Sequence, residues 1–488
     1  FCAAALPYGW LVWRRATIST RDGLVAVVGV GALCVAAPVA FSDDLYRFLW
    51  DARVASFGID PYHYAPSDPA LQIARDGLWR HVNNPEVPTI YPPVAQWLFR
   101  GMDGLGHAPW SPRLVGLFGH LGVGYALTRL PTRLGRGDGD EAGVRIGMAF
   151  WLNPLALQES ALGGHIDVFV GLAVLGFGWA LATHRVWRAL LFVALASGLK
   201  LIGLVLAPLI GIRDRKAMVL ALVVCLVPVV PLIGAGEGTG VTGGLGQYAR
   251  RWRGNEGLYG GVEAGAAWAV RHMGEEVGAT RVRFGRERAL FESLQGTRFD
   301  PRASFLGEKK QVFDPAEFEV HVIASALARA MVFLCVVGLA LGLAWRRTPP
   351  LVAIRWVLLS VLLLSPQVHP WYLLWLLPLE LALRRWTVVV WSVVAFAAYA
   401  PLDVWIQDTV WLEPRGLTWV QYGLVLTTLC VETAWGRLPW FAGSTRVPKV
   451  GEPARVSTEC SSDVRSTPTR TRPSTAIPDG TGFPEHSV

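Results

Sequence analysis

The stretch Phe41-Ser-Asp-Asp-Leu-Tyr-Arg-Phe-Leu-Trp-Asp-Ala-Arg53 decides how this chain is read. It follows Leu24 to Phe41, an apolar run without a charged side chain and just long enough to cross a bilayer as a helix. Two adjacent carboxylates, Asp43 and Asp44, stand where that run meets water. Leu45 to Val54 then reads as a short amphipathic helix capped by Ser42, with both acids in its first turn, where the helix dipole favours negative charge. Asp44, Arg47 and Asp51 fall at i, i+3 and i+7 and share one face, while Tyr46 and Trp50 share another. Alone, the stretch is equally a capped interfacial helix with an internal ion pair. The rest of the chain has to decide between the two.

Of the 488 residues, 52% are hydrophobic and only 17% charged, and the mean hydropathy is +0.37. Soluble domains are nearer a quarter charged, and here the apolar residues lie in long blocks. The expected class is an all-α polytopic membrane protein. Its 22 Trp fit interfacial belts in part and a sugar-binding surface in part. The six Cys stand singly, without the paired spacing of a disulfide framework or a zinc site. The net charge of +8 needs no nucleic acid, because Arg collects at the ends of apolar runs. Arg and Ala abound over Lys, as in GC-rich bacterial genomes. Phe1 to Trp13 resembles the tail of a span, so residues 1–23 are expected to be a shortened first span and its loop.

Positive loops orient the rest. Arg14 and Arg15, the Arg129–Arg136 group, Arg185 and Arg188, Arg213 to Lys216, Arg346 and Arg347, and Arg384 and Arg385 each end an apolar run. Placing them all in the cytoplasm satisfies the positive-inside rule. Residues 42–110 and 235–321, with the turns near Gly163–His165 and Ser365–Trp371 and the loop 403–416, then face outward. Spans are expected at 24–41, 112–130, 144–161, 165–183, 189–212, 217–234, 322–345, 351–366, 371–383, 386–402 and 417–435. The run Ala189 to Ile212 would place Arg185 and Arg213 on opposite sides if it crossed once. A break at Ser197-Gly-Leu-Lys200 is therefore expected, with Lys200 buried at depth, where charge is rare and usually functional. Val94 to Leu105 carries Arg100 and Asp103 and suits an interfacial helix. Residues 262–321 are too polar to span and are read as part of an outer cap. Residues 443–488, rich in Ser, Thr, Pro and Arg, are read as a disordered cytoplasmic tail.

The outer loop continues Gly58-Ile-Asp-Pro-Tyr-His-Tyr-Ala-Pro66, Trp79-Arg-His-Val-Asn-Asn-Pro85 and Thr89-Ile-Tyr-Pro-Pro93. A linker would lack these aromatics, whereas a surface that stacks on sugar rings needs them. The plainer alternative is a loop packed on its own spans. Further along come Glu159-Ser-Ala-Leu-Gly-Gly-His-Ile-Asp167, Lys200 in its apolar run, and His369-Pro-Trp-Tyr372. Together with Ser42–Asp51, these pieces resemble the C-type glycosyltransferases, and among them the bacterial polyprenyl-phosphate-mannose-dependent mannosyltransferases. The first loop is the most specific part, and the resemblance spans roughly residues 20–435.

The resemblance implies a bundle of roughly 11–13 transmembrane helices with a long first extracytoplasmic loop carrying interfacial helices, its catalytic domain covering 24–435. It implies an enzyme of the bacterial plasma membrane that takes a sugar, mannose above all, from a polyprenyl phosphate and passes it to an extracytoplasmic glycan, glycolipid or protein. The catalytic carboxylate would be Asp43 or Asp44. Where relatives have Gly-His-Asn-Asp, this chain has Gly-His-Ile-Asp, which leaves the role of Asp167 open. Inversion follows if one base drives a single displacement.

The residue types suit this chemistry. A base must take the acceptor hydroxyl proton, and cations must hold the departing phosphate. Asp44 is favoured over Asp43, on the ground that Arg47 and Asp51 on its face would set its rotamer. Lys200, Arg47, Arg53 and His165 are phosphate candidates, with snorkelling as the structural alternative for Lys200. Asp51, Tyr62, Tyr91, Asp167, His369, Trp371 and Tyr372 are candidates to line the substrate. For His165 and Asp167, a capping pair is the plainer account. No cofactor is required. Asp43, Asp44, His165 and Asp167 could assemble a divalent site, but no spacing demands one. Gly238-Thr-Gly-Val-Thr-Gly243 matches a dinucleotide fingerprint without the βαβ unit that would give it meaning. The basic, aromatic Gln247–Glu256 stretch is a weaker candidate for acceptor or headgroup contact. The rival function is a transporter or flippase of a lipid-linked sugar. Against it, no internal repeat is visible and the acidic pair sits in a loop. A non-catalytic scaffold would leave the polar outer clusters unexplained.

Overall fold

In a computed structural model, residues 8, 20–133, 139–233, 243–276, 315–402 and 414–435 are described. The expected span 1–13 (Tyr8 apart), most of the cap beyond residue 276, the loop 403–413 and the tail 443–488 lie outside them. Among the described residues every regular element is helical, with one isolated bridge pairing Gly254 and Gln367. The longer helices are α1 (Thr20–Ala36), α2 (Asp44–Ser56), α3 (Pro93–Leu105), α4 (Trp110–Arg133), α5 (Gly139–Trp151), α6 (Asp167–Ala182), α7 (Val186–Lys200) and α8 (Arg215–Leu226). They continue as α9 (Gly243–Arg251), α10 (Tyr259–Glu276), α11 (Pro315–Trp345), α12 (Pro350–Leu363), α13 (Leu377–Leu383), α14 (Thr387–Val394) and α15 (Arg415–Trp435).

Two helical stretches, Arg215–Leu232 and Val320–Trp345, are long and apolar enough to cross a membrane. Asp167–Ala182, Gly203–Ile212, Pro350–Leu363 and Thr387–Tyr399 are apolar but shorter. The shortening has local causes. Pro228 and Pro231 turn the end of α8 into a 3-10 segment, Val227–Leu232, because neither can donate to the preceding turn. Pro370 likewise opens the 3-10 turn Pro370–Trp375 inside the expected span 371–383. The expected break near Lys200 is present. Helix α7 ends at Lys200, Leu201 takes a left-handed conformation at φ 53°, and helix resumes at Gly203. A Cβ on Gly203 would come within 2.3 Å of the Val193 carbonyl oxygen, so the chain can fold back this tightly only at glycine.

A second irregularity lies between α5 and α6. Pro154–Leu157 leads into a π-helical turn, Gln158–Leu162, closed by the Gly163 N–H on the Gln158 carbonyl at 2.8 Å. One extra residue per turn rotates the side chains that follow, a device common near functional sites. Helix α4 passes so closely that a Cβ on Gly116 would lie 1.9 Å from the Ser160 carbonyl oxygen.

Apolar faces of α1 and α4 to α8 join those of α11 to α15 in one extended core. Helices α2 and α3 pack on its outer-loop side through Leu45, Phe48, Phe99 and Met102. The loop between them folds on Trp50, Val54, Leu71 and Val82, the loop packing the sequence offered as the plainer account of its apolar residues. The cap of α2 differs from expectation: Asp43, not Ser42, occupies the N-cap without a side-chain cap bond, and Ser42 accepts the Asp44 N–H at 3.3 Å. Farther along, Arg355 on α12 joins Glu380 on α13 and, at 2.8 Å, Glu432 on α15, so one guanidinium ties three late helices together.

Helix α2 is locked by a buried network. Arg47 Nε meets Asp51 Oδ1 at 3.0 Å and its Nη2 donates to the Val87 carbonyl at 2.9 Å. Asp51 Oδ2 accepts from Thr89 at 2.5 Å and from Gln96 of α3 at 2.9 Å. Every member is buried. Replacing Arg47 by Met should leave Asp51 as an uncompensated buried charge, at a cost of about 3–5 kcal/mol. The expected outcome is a clearly lower thermal midpoint for R47M in detergent, largely restored in the double variant R47M/D51N. A midpoint unchanged in R47M would show that the lock does not hold α2.

Candidate active site

Where α2 starts, the two acids part company. Asp43 is exposed, while Asp44 points inward with 22% of its side chain accessible. Asn83, from the loop motif Trp79–Pro85, donates to both: 2.6 Å to Asp44 Oδ1 and 2.8 Å to Asp43 Oδ1. Asp44 Oδ2 faces His165 Nδ1 at 3.9 Å. Burial, then the neighbouring Asp43, raise the Asp44 carboxyl from its ordinary value to about 6; Lys200 and the Asn83 hydrogen bond pull the other way. A carboxylate so placed is a better base at neutral pH than a solvated one.

His165 is fully buried on the turn preceding α6. Its ring stacks on Trp371 at 3.9 Å, and Trp371 stacks on His369 at 4.2 Å, so three rings form one column. His165 Nε2 looks toward Glu159 Oε2 at 3.5 Å without a hydrogen bond. Glu159, carried by the π-helical turn, accepts from Tyr399 at 2.6 Å. Gly164, at φ +70°, supplies the left-handed turn between Glu159 and His165. At the His369 end of the column, burial followed by the Lys200 charge holds the imidazole near a pKa of about 3. A neutral ring can donate to a phosphate oxygen but brings no charge to it.

Lys200 closes the last turn of α7, where the helix dipole favours a cation. Its Nζ lies 3.2 Å from Asp167 Oδ1, 4.9 Å from the Tyr372 ring centroid and 5.9 Å from that of Tyr91. Trp375 donates to the same Asp167 oxygen at 2.6 Å, while Asp167 Oδ2 is buried without a hydrogen-bond partner among the described residues. On the 3-10 turn, residues three apart eclipse, which puts the Tyr372 and Trp375 rings 4.5 Å apart in a stack. Tyr372 also shares a 2.8 Å hydrogen bond with Tyr248 of α9. In front of Lys200 opens a cavity of about 170 Å³, otherwise lined mainly by Leu201, Ile202, Val205, Val361, Leu362 and the Tyr372 and Trp375 rings. A cation at the head of an apolar trough suits a ligand with an anionic group and a hydrocarbon tail.

Asp44, His165, Asp167, Lys200, Tyr91, His369, Trp371 and Tyr372 thus gather in one place. Arg47 and Arg53 do not join them. Arg47 is spent on Asp51 and Val87, so it does not set the Asp44 rotamer; Asn83 holds that carboxylate instead. Arg53 donates to the Ala74 carbonyl at 2.6 Å and pairs with Asp76 at 3.3 Å. Asp51 belongs to the α2 lock. Tyr62 donates to the Tyr91 carbonyl at 2.8 Å and lines a separate cleft. Among the described residues no three His, Cys, Asp or Glu side chains form a cage that could hold a metal ion.

Sequence reasoning did not single out Asn83, Glu159, Tyr248, Trp375 or Tyr399. Asn83 and Glu159 stand inside motifs already suspected, and Tyr248 inside the weaker Gln247–Glu256 stretch, and that was their only signal; Trp375 and Tyr399 are ordinary aromatics until the fold brings them in.

Residues 2–214 match the family model described as alpha-(1->6)-mannopyranosyltransferase, N-terminal domain. The chain is 30% identical over 200 residues to a probable alpha-(1->6)-mannopyranosyltransferase of Mycolicibacterium smegmatis, covering 37% of this chain and 33% of that one. It is 30% identical over 159 residues to an alpha-(1->6)-mannopyranosyltransferase of Mycobacterium tuberculosis, covering 30% of this chain and 25% of that one. The chain therefore spans a third or less of the length of these curated relatives. No solved structure matches. The expected likeness to mannosyltransferases is borne out, and the matched region carries Asp44, Asn83, His165, Asp167 and Lys200.

The raised Asp44 pKa has a sign that can be checked. The folded state holds this proton more tightly than the unfolded chain, so folding loses stability as pH rises from the ordinary carboxyl range through about 6. At pH 7.5 the full cost is present. Asp44→Asn keeps an acceptor for Asn83 and removes the charge, so its thermal midpoint should equal or exceed wild type at pH 7.5. The two should converge as pH falls below 4. A midpoint several degrees lower than wild type at pH 7.5 would contradict this environment for Asp44.

Proposed function

We propose that this chain is a multispan membrane glycosyltransferase that moves a hexose, mannose first among candidates, from a polyprenyl phosphate to an acceptor hydroxyl on the extracytoplasmic side. One observation carries the reading: a partly open, Asn83-held carboxylate, Asp44, shares a site with Lys200 at the head of an apolar trough. The names of the relatives support the sugar.

The bilayer setting rests on distribution as well as composition. Val219, Val223, Val227 and Val230 along Arg215–Leu232, and Phe333, Leu334 and Leu341 on α11, are exposed. Such a band of apolar surface on helices needs an apolar solvent. The shorter helices join the bundle as tilted or broken spans, and the positive loops set the Asp44 end outside. The acceptor is then a glycan or glycolipid of the cell envelope.

In this reading the donor lays its polyprenyl chain along Leu201, Ile202, Val205, Val361 and Leu362. Its phosphate faces Lys200, whose ammonium has three donors and gives one to Asp167. The sugar lies between Lys200 and Asp44, against the Trp371 and Tyr372 rings. Asp44 takes the proton from the acceptor hydroxyl as its oxygen forms a bond to the anomeric carbon. The bond from that carbon to the phosphate oxygen breaks, and its electron pair leaves on the phosphate, stabilised by Lys200. One displacement with one base inverts the anomeric centre. His165, stacked and neutral, keeps the far side of Asp44 dry.

The test uses the purified chain in lipid nanodiscs with a panel of polyprenyl-phosphate sugars. Transfer should be greatest with mannose. Asp44→Asn should lower kcat by about 100-fold or more, while Asp43→Asn keeps most of it. The rate should rise with pH through about 6 and level off, since Asp44 works deprotonated. Lys200→Ala should raise KM for the donor more than for the acceptor. Full transfer by Asp44→Asn would end Asp44 as the base, and equal effects of Lys200→Ala on both substrates would make Lys200 structural.

A further inference from the structure

Beside α3 lies a second, larger cleft, open and about 450 Å³ in volume. Its walls come from the loop residues Gly58 to Tyr62, from Gln96, Trp97 and Arg100 of α3, and from Pro231 where the α8 helix gives way. We propose that this cleft binds internal sugar units of a neutral acceptor glycan, at a distance from the hydroxyl that reacts. The inference rests on the glycosyltransferase reading and adds a site to it.

The volume lies within the range of about 300–1,000 Å³ usual for small-ligand sites. The lining suits a polyhydroxyl ring. Trp97 is 73% exposed, a large apolar plane in a cleft that also carries Asp60 and Arg100, placed to stack on the C–H face of a pyranose. Asp60 and Arg100 are exposed and line the same cleft as Tyr62. A carboxylate and a guanidinium together can accept from and donate to neighbouring hydroxyls. Their charges cancel, which fits a neutral ligand and not a phosphate headgroup. The side chains are also held ready: Asp60 Oδ1 accepts the Tyr62 N–H at 2.9 Å, and Gln96 is fixed by Asp51 and Thr89.

The cleft is near the reacting groups without opening onto them. Tyr62 donates to the Tyr91 carbonyl, and the Tyr91 ring faces Lys200. Val94 of α3 packs so tightly on α7 that a Cβ on Gly198 would meet Val94 Cγ2 at 2.4 Å, two residues from Lys200. A chain of sugars whose end reaches Asp44 can rest earlier units in the cleft, whereas a single sugar cannot reach both.

The test measures binding of α-1,6-linked mannotetraose to the full chain in nanodiscs by saturation-transfer NMR and calorimetry, with no donor present. Wild type should bind, Trp97→Ala at least tenfold more weakly and Arg100→Gln at least threefold more weakly. In the transfer assay, Trp97→Ala should raise KM for a tetrasaccharide acceptor at least tenfold at unchanged kcat and donor KM, and leave KM for a monosaccharide acceptor unmoved. Equal tetraose affinity in wild type and Trp97→Ala overturns the proposal, as does absence of binding to either. It is also overturned if Trp97→Ala instead removes fluorescence quenching by brominated phospholipid, which would assign Trp97 to the bilayer. Tetraose binding through Trp97 without sugar transfer keeps the cleft and removes the enzyme reading. Transfer with acceptor KM unchanged in Trp97→Ala does the reverse.

Discussion

The contact on which the site depends is the ion pair between Lys200 and Asp167. Both side chains are withdrawn from water, Asp167 almost completely. Burying two charges costs several kcal/mol per ion before their attraction returns any of it, and a well-packed apolar pair of the same volume would often be no less stable. Much of the local architecture is arranged around keeping this pair. The α7 helix stops at Lys200 with a non-glycine residue in the left-handed region, Trp375 spends its indole N–H on Asp167, and two tyrosine rings flank the ammonium. In the proposed reading, a donor phosphate at the head of the apolar trough is the reason such a cation is kept.

The same logic separates the two charged residues of α2 that looked alike in sequence. Arg47 and Asp51 satisfy each other and the loop that returns past them, through Val87, Thr89 and Gln96. Their role is to fix the helix on which Asp44 rides. Asp44 itself is left with one amide donor and a distant imidazole, which is the condition a base needs: oriented, partly desolvated, and not neutralised by a salt bridge.

The helical class, the break near Lys200, the helix Pro93–Leu105 and the gathering of Asp44, His165, Asp167 and Lys200 were all legible in the sequence. Each rests on a one-dimensional signal, namely hydropathy, a charge inside an apolar run, or acids at the end of one. What was not legible depended on direction. Asp44, Arg47 and Asp51 share a helical face, yet spacing cannot say that Arg47 leans toward Asp51 and away from Asp44. Ser42 and Asp43 are equally good caps by residue type, and the chain turns one residue later than expected and makes Asp43 the cap. The π-helical turn that aims Glu159 toward His165 has no composition of its own. Tyr248 and Tyr399 reach the site from elements far off in the chain; only the basic, aromatic character of Gln247–Glu256 hinted at the first, and no local pattern marks the second.

Helix α3 is the element through which donor and acceptor recognition would communicate. Val94 packs on α7 beside Gly198, Trp97 and Arg100 line the open cleft, and Gln96 is tied to the Asp51 lock. A rigid helix held by both α7 and the α2 lock fixes the position of Trp97 relative to them. In the proposed reading, chain length of the acceptor is then read by geometry: only a glycan long enough to reach from Trp97 to Asp44 gains the stacking while its end lies against the base. In the proposed reading, the amphipathic pattern of Val94–Leu105, with Arg100 and Asp103 inside an otherwise apolar segment, would keep this helix at the membrane boundary, where a lipid-borne donor and a water-borne glycan could both meet it.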